Sequence, residues 1–227
     1  MTLKIISSMA TKEVLKTLAH DFQKLQAIPV SVEAIGGVDV NRRVRAGEAF
    51  DVVVLAANAI DQLISEGHLR AVSRVDFVTS GIVAAVKTGS RLFDISTEQA
   101  LREAILVAKT VSYSTGPSGV YLEKLFAKWG IAESIKSRLV VAPPGVPVGG
   151  LLAQGEAELG FQQLSELITL PGITLLGPLP PEVQLITTFS AGIAKTGSHP
   201  AATAHFLEYI VSTATVDAKE QAGMKAV

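Results

Sequence analysis

The feature that most constrains this chain is an alternation of short apolar runs with amphipathic stretches, which begins almost at once and continues past the midpoint. Residues 3–6 form an apolar run of strand length. From about residue 9 to 25, Val14, Leu15, Leu18, Phe22 and Leu25 recur at intervals of three and four, the spacing of one helical face. A second strand over 29–35 passes through Gly36 and Gly37 into a short helix carrying Val40 and Val44, which closes at Gly47. Residues 51–56 are a near-continuous apolar run, followed by a helix that Asn58 caps and Gly67 ends. Strand and helix in strict alternation predict a parallel sheet with helices packed on its faces.

The alternation resumes after residue 92. Ser96, followed three residues later by Gln99, reads as a capping box opening a helix to about residue 108. A strand over 110–114 leads through Gly116, Pro117, Ser118 and Gly119 into a helix that reaches Trp129 and stops at Gly130. Strands over 139–142 and 159–163 flank a helix over 146–154 ended by Gly155. A final helix over 200–212 turns Ala204, Phe206, Leu207 and Ile210 toward a core. Two stretches, 80–90 and 190–198, break this rhythm and resemble each other, since both are apolar runs ending in Lys-Thr-Gly-Ser. Either a common strand-and-turn signal recurs by chance, or these are two strands linking two lobes and acting as a hinge. On the second reading residues 1–80 with 192–227 form one lobe and 81–191 the other.

Composition narrows the class of function. There is no cysteine, which excludes a disulfide scaffold and cysteine-ligated metal. Twenty Lys and Arg against 21 Asp and Glu leave a net charge of −1, without the basic face that nucleic acid requires. With 48% hydrophobic and 18% charged residues the chain is not disordered. The 5% aromatic content leaves few rings for stacking on bases or sugars. No run approaches the roughly 18 apolar residues of a membrane span, so no direct membrane insertion is expected. The start at Met1 enters a strand pattern without a signal-peptide profile. A periplasmic location is expected if a signal has been removed, and a cytoplasmic one otherwise.

In an open parallel sheet, ligands sit beyond the carboxyl ends of the strands. That rule selects Ser7, Ser8 and Met9; Gly36 and Gly37; Ala57 and Asn58; Ser114, Thr115, Gly116, Ser118 and Gly119; Gly145, Val146 and Val148; and Gln162, Gln163 and Ser165. Hydroxyls, amides and free N–H groups at helix starts suit an anion, although Ser8, Asn58 and Ser118 also read as plain N-caps. Arg42, Arg43 and Arg45 form the one local cationic cluster, and a guanidinium there suits a carboxylate. His20, His68, His199 and His205 lack metal-ligand spacing. Neither a Walker motif nor Gly-x-Gly-x-x-Gly is present, so no metal and no cofactor are expected.

The segment Ala-Gly-Glu-Ala-Phe-Asp-Val-Val-Val-Leu-Ala-Ala-Asn at 46–58, with residues 145–160 and 187–193, resembles the type II periplasmic binding proteins. Among them the chain most resembles the molybdate-binding component of ABC importers, over nearly its whole length. The resemblance implies an α/β, two-lobed fold of mostly parallel sheets flanked by helices. It also implies a small anionic ligand in the cleft between the lobes, and the membrane component of an ABC importer as partner. In the family a hydroxyl residue follows the first strand, as Ser8 does here. A Ser-Ser-Gly turn usually follows the second strand, with Gln on the next helix, where this chain has Gly36-Gly37-Val38 and Arg43. A lost hydroxyl and a gained cation shift the expected ligand from a tetrahedral oxyanion toward a carboxylate. The resemblance extends to aconitate isomerase, which implies as an alternative an enzyme moving a proton within an unsaturated tricarboxylate. The effector lobe of a transcriptional regulator fits less well, because no helix-turn-helix precedes Leu3.

Overall fold

In the computed structural model, which describes residues 2–227, strands and helices alternate in chain order, and the expected start at Met1 lies outside the described residues. β1 (Leu3–Ser8), α1 (Lys12–Gln26), β2 (Val30–Ile35), α2 (Gly37–Arg45), β3 (Val52–Ala56), α3 (Ala57–Ser65) and β4 (Val75–Lys87) come first. They are followed by α4 (Glu98–Val107), β5 (Val111–Ser114), α5 (Pro117–Lys128), α6 (Ala132–Ile135) and β6 (Leu139–Ala142). Next are α7 (Val148–Gln154), β7 (Leu159–Gln163), α8 (Leu164–Leu167) and β8 (Ile173–Pro178). The chain closes with β9 (Ile186–Ile193), α9 (Pro200–Ile210), α10 (Val216–Gln221) and β10 (Lys225–Ala226). The architecture is α/β with sheets flanked by helices, as the alternation implied, but the sheets are mixed: β4, β8, β9 and β10 add antiparallel pairs to the parallel strands that alternation predicts.

The chain divides into two compact units, one of Met1–Ser80 with Thr187–Val227 and one of Gly81–Ile186. In the first, the strand order is β2-β1-β3-β9, with β1 parallel to β2 and β3, and β9 antiparallel to β3. β10 pairs antiparallel with the first half of β4. One face of this sheet is covered by α1, whose Val14, Leu15, Leu18, Ala19 and Phe22 are buried. Each large apolar side chain of that stripe contributes about 1.5–3 kcal/mol on burial. Phe22 meets Phe206 of α9 edge to face, with ring centroids 5.2 Å apart. The opposite face gathers Ile6, Val40, Val44, Val53, Leu55, Ile60 and Leu63 under α2 and α3.

The second unit has the order β4-β7-β5-β6, with β5 parallel to its two neighbours, and β4 antiparallel to β7 and β8. α4 and α5 cover one face through Leu101, Ile105, Leu122 and Phe126. α7 covers the other through Val148, Leu151 and Leu152.

Several local expectations change. Leu25, on the expected helical face, is exposed, and so is Ala204. The helix of the second unit's first crossover is capped by Thr97, whose hydroxyl accepts from Ala100 N–H at 3.1 Å, and not by Ser96. α3 starts two residues earlier than read, with Ala56 as N-cap and Asn58 inside the first turn. β8 and α10 were not anticipated. Residues 173–178 end in Gly-Pro, which hides a strand, and α10 is too short and charged to show a periodicity.

A buried carboxylate joins distant parts of the first unit. Asp51, 3% exposed, accepts from the N–H groups of Lys4 (2.9 Å), Ser198 (2.9 Å) and His199 (3.1 Å), and His199 Nδ1 lies 3.2 Å from both oxygens. Burial alone pushes this carboxyl up. The backbone donors and the imidazole outweigh burial and hold it below the usual carboxylate range.

Candidate functional site

Register brings the selected residues of the first unit to one edge. Ser8 pairs with Ile35 on β2, and Ser7 with Val54 on β3, so the three parallel strands end within about a residue of one another at Ser8, Ile35 and Ala56. A helical segment opens immediately after each end: the short 3-10 turn Met9–Thr11 running into α1, then α2 from Gly37, and α3 from Ala57. The first N–H groups of each helix have no partner within it, and the helix dipoles add positive potential at the same edge. Asn58 lies in the first turn of α3 and contributes backbone N–H there.

Ser8 stands out among the hydroxyls of this edge. Ser7 Oγ donates to the Ser8 carbonyl at 3.2 Å, and Thr11 Oγ1 donates to the same oxygen at 3.3 Å. Ser8 Oγ is buried and has no hydrogen-bond partner, so Ser8 does not act as a side-chain cap. A buried hydroxyl left unmade costs about 1–3 kcal/mol, which a ligand acceptor removes. Gly37 is its neighbour: a Cβ there would sit 3.9 Å from Ser8 Cβ and 3.7 Å from Leu55 Cδ2, ordinary contact distances, so the start of α2 packs directly beside Ser8. Asn41, one turn into α2, donates to the Gly37 carbonyl at 3.0 Å and leaves its own Oδ1 buried and unpartnered, a polar atom the sequence did not single out.

Arg43 is not brought to this edge. It lies six residues after Gly37, about 9 Å further along α2. Its guanidinium pairs with Glu33 and Glu48 and stacks over Phe50, 5.2 Å from the ring centroid. Hydrogen bonds to those two carboxylates hold it firmly protonated and occupied.

In the second unit Ser114 pairs with Ala142, and Tyr113 with Phe161, so Ser114 and Gln162 are the next residues at the end of the parallel strands. Gly116 is the N-cap of α5, and its N–H donates to Ser114 Oγ at 3.3 Å. Thr115 is exposed. Ser118, in the first turn of α5, is 1% exposed. Gly119 has a packing role: a Cβ there would lie 1.6 Å from the Ser114 carbonyl oxygen, so only glycine lets α5 approach β5 this closely. Val148 N–H is also engaged, donating to Gln162 Oε1 at 2.9 Å. Gln163, the residue before α8, is buried.

Gln162 passes this contact on. Its Nε2 donates at 2.8 Å to Oε1 of Glu166, a half-buried carboxyl on α8 that the sequence reading passed over. Burial pushes the Glu166 carboxyl up to about 7, against the opposite pull of the Gln162 bond. Only its place four residues after Gln162, across the junction of β7 and α8, could have drawn attention to it. Among the described residues no group of three or more His, Asp or Glu could hold a metal ion, and no helix is long and apolar enough to cross a membrane.

Two α/β units, each ending its parallel strands against helix starts, match the fold of periplasmic binding proteins. The chain belongs to the bacterial extracellular solute-binding protein family, which matches residues 3–225. It is 34% identical over 234 residues to an aconitate isomerase of Pseudomonas sp., with all of this chain and 88% of that protein covered. In fold it is similar to the periplasmic molybdate-binding protein of Azotobacter vinelandii, with a TM-score of 0.82, 20% identity and 98% of each chain covered. The sulfate-binding protein SubI of Mycobacterium tuberculosis has a TM-score of 0.79 at 14% identity, covering 100% of this chain and 87% of that one.

Proposed function

We propose that this protein binds a small anion at the carboxyl ends of its parallel strands, with Ser8 Oγ and the helix N–H groups around it as donors. The observation that carries the reading is the buried, unpartnered Ser8 hydroxyl at an edge where three helical segments begin. A neutral cage of hydroxyl and N–H groups accepts negative charge through dipoles, as helix N-termini do. Preference for a carboxylate rests on the 34% identical isomerase and not on Arg43, which two glutamates occupy. As a binding protein it would deliver the anion to the membrane component of an ABC importer. Thermal shift with molybdate, tungstate, sulfate and a panel of di- and tricarboxylates tests the reading. A ligand at 100 times its Kd stabilises the fold by about 2.7 kcal/mol, and no shift with any anion refutes it.

A second reading, an isomerase that interconverts cis and trans unsaturated tricarboxylates, is favoured by likeness to the isomerase along the whole chain. Glu166 supports it, because a carboxyl near 7 is suited to give and take a proton at neutral pH. Formation of cis-aconitate from trans-aconitate by the purified protein is the direct assay.

A further inference from the structure

Among the described residues Glu166 has one hydrogen-bond donor, Gln162, and no cation to compensate its charge. The elements packed most closely against α8 are α7 (Val-Gly-Gly-Leu-Leu-Ala-Gln) and β7 (Leu-Gly-Phe-Gln-Gln), and neither carries a titratable side chain; β8, whose Ile173 joins the same apolar cluster, carries none either. Within α8 it is the only titratable residue, and no Lys, Arg or His pairs with it among the described residues. Its Oε1 accepts from Gln162, whose own Oε1 is held by the first N–H of α7. That chain fixes the carboxyl near the strand-end edge, where Ser114 and Gln162 each follow the pair Tyr113–Phe161. A carboxyl placed out of water without a cation is costly when ionised, and a purely structural role would be served equally well by glutamine.

We propose that Glu166 is the proton-transferring group for a 1,3-shift in an unsaturated polycarboxylate, with Gln162 as the residue that positions it. The inference rests on the isomerase reading above. As carboxylate, Glu166 takes a proton from the substrate methylene, and the C–H electron pair becomes the new C=C bond. The electrons of the old double bond form a C–H bond at the former vinyl carbon, using the proton that Glu166 then returns. The balance needs no oxidant or reductant. The Ser114 hydroxyl and the first turn of α5, at the strand ends of the same unit, are the donors assigned to the charge that develops on the substrate carboxylate in passing. A carboxyl poised near neutrality matches a task in which it is base and then acid.

The test compares wild type with Glu166→Gln in three measurements: conversion of trans- to cis-aconitate, thermal shift with trans-aconitate, and thermal stability across pH. The variant is expected to bind trans-aconitate within about threefold of wild type yet isomerise it at least about 100-fold more slowly, as loss of a general base does. The wild-type rate should fall tenfold per pH unit below a midpoint of about 7. A raised carboxyl stabilises the fold fully below its unfolded value and loses that contribution as pH rises. Wild type should therefore lose stability relative to the variant between about pH 4.3 and its folded value near 7, and no more above it. A variant isomerising within about tenfold of wild type overturns the role of Glu166 and leaves the isomerase reading standing. Loss of binding together with rate makes Glu166 a ligand contact and overturns proton transfer. An identical pH profile of stability in both proteins overturns it as well. Absence of isomerisation by wild type removes both readings together.

Discussion

At the scale of single residues, three neighbouring hydroxyls of the first unit have different fates. Ser7 and Thr11 spend their protons on the Ser8 carbonyl, while Ser8 Oγ is buried with no partner. Removing an orphaned hydroxyl should help the empty fold and hurt the loaded one. Ser8→Ala is expected to raise unfolding stability by up to about 1 kcal/mol and to weaken anion binding by roughly tenfold or more, since a hydrogen bond to a charged acceptor contributes about 1.5–3 kcal/mol. Denaturant unfolding and a binding titration of the same variant check both signs. Gly119→Ala is expected to lose about 3 kcal/mol or more, because its Cβ meets a backbone oxygen that cannot swing aside. Urea unfolding measures that loss. Both residues are ordinary letters of a strand-to-helix turn, so the sequence lists them together; only the three-dimensional surroundings separate a donor from a packing requirement.

At the scale of elements, helix starts were legible to within a residue or two, but which group caps them was not. Thr97 displaces Ser96 at the end of a loop, its hydroxyl accepting from Ala100 N–H, and Ala56 displaces Asn58 because α3 opens directly where β3 ends. The same holds for Asp51, which reads as the polar first residue of an apolar run. In the fold it ties β1 through Lys4 to the turn ahead of α9 through Ser198 and His199. Asp51→Asn should lower stability by about 2–4 kcal/mol at neutral pH, since it weakens several bonds to a charged acceptor. A carboxyl held below its normal range contributes stability above the unfolded value of about 3.9 and loses it as pH falls through the folded value. The gap between wild type and variant should therefore narrow on acidification below about pH 3.9, as thermal unfolding across pH would show.

At the scale of the whole molecule, the chain leaves the first unit after Ser80 and returns at Thr187, so Gly81–Ile186 is a contiguous unit with its own buried clusters. The segment 81–186 expressed alone is expected to unfold cooperatively on heating, followed by circular dichroism. The segment 1–80 alone should not, because Phe189, Phe206 and Ile210 complete its core from the far end of the chain. A near-zero net charge is consistent with anion binding by dipoles at strand ends, with no basic surface required. Local periodicity by itself determined the alternation of strands and helices, the α/β class and the strand ends from which candidate residues could be drawn, because those signals span only a few residues. Tertiary structure alone decided that Arg43 belongs to Glu33 and Glu48, that Val148 N–H belongs to Gln162, and that Glu166 stands half-buried without a counter-charge. Those outcomes depend on register and packing between segments far apart in sequence, and on the loss of water around each group, neither of which a pattern of neighbouring residues encodes.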